Sequence, residues 1–412
     1  MESTQRLPED VFAAVLRRLP PHGLAMARCV CKAWHATIDD RQLLHLFPPS
    51  LAGLFITFME LPFSEFFFRP PRRDGAAAAI SGNLLRYMPP MEEAIVMDHC
   101  NGLLLLFDYV VNPATQRWAP LPPLPQEVHH AVASLHRYIV FDPAVSPHYE
   151  VVIVPSITWR AIGVESQVEW PPSPCIMHVF SSAMASWEER SFTRRGGAMG
   201  TVAHLRLVTR DMHQVLSAYW GGQLYVLNQF VMRVNMEKKI SLGKSENGVY
   251  FASLDRQRQL RVWILNESHG GGTEWVIKHD NNLHHMLSRG VIEDINYSSE
   301  NFTPPIDIKQ VAEDKLEWDS DNDNTPDARG RVGKHYTSSI SILGFHPYKE
   351  GIFLNDSIER SFAYHLSSSK LEDLGSIYPK DYNRMYNSFI DQSFPYTPCW
   401  IGELPGSQSE NS

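Results

Sequence analysis

Apolar residues along this chain follow two different periods, and the change falls near residue 48. Up to that point the spacing is helical. At 100° per residue, Val11, Phe12, Val15, Leu16 and Leu19 share an arc of about 140°, a wide apolar stripe. Pro8 suits a first helical turn, and Glu9 and Asp10 beside it complement the helix dipole. Arg17 and Arg18 take the other side with Ala13 and Ala14, which are small enough for a second helix to approach closely. Pro20, Pro21, His22 and Gly23 stop this helix. A short helix is predicted from about Leu24, and a third carries Val30, Trp34 and Ile38 on one stripe.

Beyond residue 48, β-branched and aromatic runs separated by turn residues replace the helical spacing. Six stretches share a loose plan: an apolar strand, a turn rich in Asn, Asp, Ser or Gly, and a returning strand that often carries Trp or Tyr. They are YVVNPATQRWAPL from residue 109, YIVFDPAVSPHYEVVIV from 138 and MHVFSSAMASWEERSF from 177, then LYVLNQFVMRVNMEKKISL from 224, LRVWILNESHGGGTEWVIK from 260 and FAYHLSSSKLEDLGS from 362. Hairpins recurring at roughly 40–50 residues predict propeller blades. Asn101-Gly102 ahead of LLLLF predicts a tight turn feeding a strand buried on both faces. RPPRRDGAAAAISGN (69–83) reads as a mobile loop, because strand-like sequence lies on both sides of it. A pair of β-sandwiches is the alternative architecture, but no boundary divides this uniform texture.

Composition narrows the class. The 412 residues are 43% hydrophobic and 11% aromatic, enough for a sizeable core in two to three domains or one large array. A net charge of −9 argues against a non-specific nucleic-acid or membrane-surface binder, which needs a basic patch. The five cysteines are scattered, which argues against a disulfide framework and fits a reducing compartment. The opening MESTQRLPEDVFAAVLRRL sets acids ahead of periodic apolar positions, unlike a signal peptide. The greasiest run is broken by Glu60, Pro62 and Glu65, short of a membrane span. A soluble protein of the cytoplasm and/or nucleus is expected.

Candidate chemistry is thin. In RCVCKAWHATIDD (28–40), Cys29 and Cys31 on one helix would point 200° apart, and Cys31 with His35 supplies only half a zinc site. DSDNDNTPDARG (319–330) opens like a calcium loop with Asp319, Asp321 and Asp323, but Asn324 replaces the turn glycine and Gly330 the bidentate glutamate. With seven acids and two bases in residues 312–330, a solvated loop is the better expectation, within a mobile segment near 307–336. His129-His130 and His284-His285, taken as strand neighbours, face opposite ways. No nucleophile elbow, Walker loop, H-E-x-x-H or dinucleotide fingerprint occurs, so no metal, cofactor or catalytic residue is expected.

LPEDVFAAVLRRLPPHGLAMARCVCKAW resembles the F-box: an opening Leu7-Pro8, the leucines Leu16, Leu19 and Leu24 at the family's spacing, and a closing Val30, Cys31, Lys32 and Trp34. CNGLLLLFDYVVNPATQRWAPLPPLP, YIVFDPAVSPHYEV, FHPYKEGIFL and FPYTPCW resemble the propeller-like associated domain of the large plant F-box family. The resemblance implies an α+β multidomain chain: a three-helix F-box over 1–48, an all-β, propeller-like (kelch-like) domain of six to eight irregular blades over 49–405, and a disordered tail over 406–412. It implies docking to a Skp-type adaptor through Leu7, Pro8, Val11, Val15, Leu16, Leu19, Leu24, Val30 and Trp34. Through that adaptor the chain would join a cullin RING ubiquitin ligase and deliver an unknown protein target, with no nucleic-acid or membrane partner. Physical chemistry agrees, since a helical unit below about 50 residues rarely buries its apolar faces alone. The competing expectations are a helical cap on the chain's own core, and a propeller enzyme or sugar-binding module carrying such a cap.

Overall fold

The computed structural model describes residues 8–287 and 340–407, apart from 29, 47–49, 59–60, 69–83, 125–133, 157–166, 195–196, 199, 204–215, 228–238, 268–272, 358–359, 378–389 and 401–403. The expected loops at 69–83 and 307–336, the acidic stretch, His129-His130, Leu7 and Cys29 therefore lie outside the described residues.

Three short helices come first: α1 (Glu9–Leu16), α2 (Pro21–Arg28) and α3 (Lys32–Asp40). Pro21 opens α2 where its missing N–H costs nothing. The third helix starts later than the spacing predicted. Cys31 is its N-cap in extended conformation, and Val30 lies in the turn before it. Cys31 therefore lies outside the body of α3, and not within a helix that runs back through Val30 as the sequence suggested.

Twenty-three strands follow among the described residues. Four four-stranded antiparallel sheets run in order from one edge to the other. The first is β3 (Asp98–Cys100), β4 (Leu103–Leu105), β5 (Tyr109–Asn112) and β6 (Arg117–Pro120). The second is β7 (Ser134–Val140), β8 (Glu150–Ser156), β10 (Cys175–Ser181) and β11 (Ser186–Phe192), with a small pair, β9 (Glu169–Trp170) and β12 (Gly200–Thr201), beside it in sequence. After the hairpin β13 (Leu216–Trp220) and β14 (Gln223–Leu227) comes the third: β15 (Lys239–Ser245), β16 (Gly248–Leu254), β17 (Gln259–Glu267) and β18 (Thr273–Asn282). The fourth is β19 (Ser341–Phe345), β20 (Gly351–Ser357), β21 (Arg360–His365) and β22 (Lys370–Gly375). A three-stranded sheet joins the two ends of the β region: β1 (Gly53–Phe58) pairs with β2 (Ser64–Phe68) on one side and β23 (Ile390–Tyr396) on the other.

The core explains why these sheets form a ring. Neighbouring sheets pack face to face over shared apolar clusters. Tyr250, Val262, Ile352 and Tyr364 lie between the third and fourth sheets. Leu105, Val110, Ile139 and Val151 lie between the first and second. The closing strand β1 is buried along its whole length because it serves two interfaces at once. Phe55 faces Leu104, Val111 and Tyr396, whereas Leu54 and Ile56 face Phe353 and Ala363, as strand alternation requires. The result is an all-β propeller in which a final strand seals the ring to the first, leaving few open edges.

Five blades of three or four strands are detected among the described residues, which does not reach the expected six to eight. One cause is visible: the hairpins beginning at 138 and 177 are the two halves of a single sheet. The stretch from 224 is not one hairpin either, since β14 and β15 belong to different sheets. Asn101-Gly102 does form the expected tight turn. Both residues have positive φ, 45° and 90°, and Cys100 pairs with Leu103 across the turn. His284 and His285 open a short helix, α4 (His284–Leu287), instead of a strand. At the other end Ser407 N–H donates to the Leu404 carbonyl at 3.0 Å, so the described residues reach two residues into the expected tail.

Candidate functional site

The helical module offers the clearest docking surface. Its own core consists of Leu16, Leu24, Ala27, Ile38, Leu43 and Leu44, with Phe12, Leu19 and Trp34 packed against it. Phe12 and Trp34 rings meet at 5.2 Å and bring α1 onto α3. Arg28 holds Asp39 through two 2.6 Å bonds, joining α2 to α3, and Arg41 reaches Asp10 of α1 at 2.7 Å. These pairs are partly exposed and contribute little each; apolar burial holds the module together.

The predicted stripe is thereby split. Leu16 is 1% exposed and Leu24 is fully buried, so both serve the module's interior and neither presents itself to a partner. Leu19 and Trp34 are half-buried at its margin. Val11 (47%), Val15 (51%) and Val30 (62%) point outward, with Pro8 exposed beside the start of α1. Met26 of α2, 60% exposed, joins them and was missed from sequence, because α2 carried no clear stripe to place it on. Val11 and Val15 stand one helical turn apart on one face. Among the described residues of this small unit, four large apolar side chains are thus left in water.

One residue of the module's core comes from the far end of the chain. Trp400, four residues after β23, packs against the cluster that contains Leu16 and Leu24. The segment leading to it is anchored in the ring: Cys399 is buried in the core of the first two sheets, and its carbonyl accepts the Asn112 side-chain N–H at 3.0 Å. The helices are thus keyed to the propeller at its closing strand. Nothing in sequence spacing could place Trp400 there.

No helix among the described residues is long and apolar enough to cross a membrane. The architecture is that of a small helical docking module ahead of an all-β propeller. Residues 4–45 match the F-box-like family, and the helices are an F-box-like domain. Among curated proteins, the chain is similar to a putative F-box/kelch-repeat protein of Arabidopsis thaliana, 23% identical over 209 residues that cover 45% of this chain and 46% of that one. It is also similar to an F-box protein of the same plant, 27% identical over 146 residues, 30% of this chain and 32% of that protein. The matched regions thus span about half and about a third of these relatives. No solved structure matches.

Proposed function

We propose that this chain is the target-recruiting subunit of an SCF-type ubiquitin ligase acting in the cytoplasm and/or nucleus. The F-box-like helices dock a Skp-type adaptor, the adaptor joins a cullin RING ligase, and the propeller holds a target protein. The observation that carries this is the outward face of the F-box-like domain, Val11, Val15, Met26 and Val30, on a module already closed around its own core. Each such side chain, once covered, contributes roughly 1.5–3 kcal/mol, so three or four suffice for a stable contact. The ligase works here by proximity: a target lysine held near the charged ubiquitin carrier experiences an effective concentration of about millimolar. No side chain of this chain performs chemistry in that scheme. We also infer that the β13–β14 hairpin, whose inner strand packs beside β15, is a sixth and incomplete blade.

The adaptor pull-down tests the reading. Val11→Asp with Val15→Asp places charge on exposed positions and leaves Leu16, Leu24 and Ile38 untouched, so folding is preserved while adaptor capture falls at least tenfold. Capture unchanged by the double variant, or no capture by the unaltered protein, defeats the proposal. The latter result would favour a propeller enzyme or sugar-binding module with a helical cap.

A further inference from the structure

The inner strands of the sheets surround a cavity of about 90 Å³. That is room for roughly half a dozen waters, or one small organic molecule. Its wall is contributed by β3 and the turn after it, β13, β15, β19 and β23 with their flanking residues, so five separate sheets meet there. Close backbone approach tightens the wall. A Cβ on Gly102 would lie 2.5 Å from both the Cβ and the backbone nitrogen of Cys399, and one on Gly344 would lie 2.9 Å from the Pro395 ring.

The chemistry of the wall is one-sided. Lys244 enters from β15, and its ammonium donates to the Asn101 side-chain oxygen. Asn101 in turn donates to the Phe141 carbonyl at 2.7 Å. An ammonium has three donors, and no carboxylate among the described residues forms an ion pair with this one. Burial holds Lys244 below the ordinary lysine range, opposed in part by the carboxylate of Asp142. Asp98, the one acid in the wall, is committed elsewhere. One oxygen accepts the Ile139 N–H at 2.8 Å and the other the Ser217 hydroxyl at 2.9 Å. Burial, with the charge of Lys244 as a second cause, lowers His99 to about 3, and burial raises the Cys100 thiol to about 12, so both are neutral. Phe345, Phe394 and Pro395 add apolar surface.

A part-buried ammonium whose one hydrogen-bond partner among the described residues is neutral is costly to the fold. We propose that the cavity is a binding site for a small organic carboxylate, its anionic end on Lys244 and its apolar body against Phe345, Phe394 and Pro395. The site stands apart from the F-box-like helices and does not depend on the ligase reading. Its failure would leave adaptor capture unchanged.

The probe is benzoate, with benzamide as its uncharged counterpart and sodium chloride at matched ionic strength. On the full chain, millimolar benzoate should raise the thermal midpoint measurably, and benzamide and chloride should not. Lys244→Met keeps the aliphatic stem, removes the charge and should weaken the benzoate response at least tenfold. If that variant does not fold, Lys244→Gln, which keeps a polar end without the charge, should weaken the response likewise. The proposal fails if benzoate gives no response at tens of millimolar, which would mean a channel holding water alone. It also fails if benzamide matches benzoate, or if the folded variant responds as the unaltered protein does.

Discussion

Trp400→Ala tests how the two halves are joined. A Trp side chain buries about 150–250 Å² when fully covered. Trp400 is partly buried against the helical core, so roughly 120 Å² of contact is lost on truncation. At about 25 cal/mol per Å², this removes about 2–3 kcal/mol from the docking of the helices, a large share of what so small a module can possess. The loss should stay local, because the sheets have their own clusters apart from the helical one. Native-state hydrogen exchange reads both regions in one experiment. Amides of α1, α2 and α3 should exchange roughly 30- to 150-fold faster in the variant, while those of β4, β5 and β16 keep their protection. Two results would refute the reasoning. Unchanged exchange in the helices means Trp400 contributes nothing to the module. Equal acceleration in helices and strands means it belongs to the propeller's core.

Gly102→Ala should cost about 2–4 kcal/mol by denaturant melting, since φ is +90° and the added Cβ meets Cys399 and Thr397; a neutral effect would mean the closing segment packs differently. Ser245→Ala should cost about 1–3 kcal/mol, because the fully buried hydroxyl bonds both the His346 and Lys349 carbonyls, at 2.9 and 2.8 Å; a loss within error would argue against those bonds. Removing residues 390–412 should abolish cooperative unfolding by calorimetry, whereas removing 1–49, which leaves β1 and β23 paired, should preserve it. Asp98 adds a pH signature: burial raises its folded value to about 7, above the usual carboxylate range, so the folded state binds the extra proton and this group's contribution is lost as pH rises from about 4 to 7. Asp98→Asn, melted in denaturant from pH 4 to 8, should gain on the unaltered protein across that window and then level off; a gap independent of pH would show that Asp98 ionises normally.

Much of the fold was legible because it is written locally. The Asn101-Gly102 turn needs two positive φ values, a requirement that selects residue type directly, and the hairpins at 109, 177, 260 and 362 each fall within one sheet. What a local pattern does not carry is which hairpin neighbours which. The hairpins at 138 and 177 look like separate units in sequence because each satisfies the same strand-turn-strand grammar. Only the β8–β10 pairing, Val151 to Phe180 among others, merges them into one blade. The same limit produced the wrong guess for His284-His285, where two residues after β18 begin a helical turn too short to show a period.

The outward apolar positions of the helices were half legible for a different reason. A helical wheel identifies apolar positions without saying which neighbour covers them. In α1 the stripe is wider than one contact, and the fold spends its two edges separately: Phe12 and Leu16 close the module, while Val11 and Val15 remain outside. The division depends on α3 approaching from one side and on Trp400 arriving from the opposite end of the chain, and neither is a property of α1 itself. It decides which substitutions are informative. A charge at Leu16 would unfold the module and lose any partner indirectly, whereas a charge at Val15 leaves Leu16, Leu24 and Ile38 in place and tests the contact alone. Lys244 follows the same rule. Alone on its strand it carries no motif, and its significance arises only when five inner strands converge on one small space.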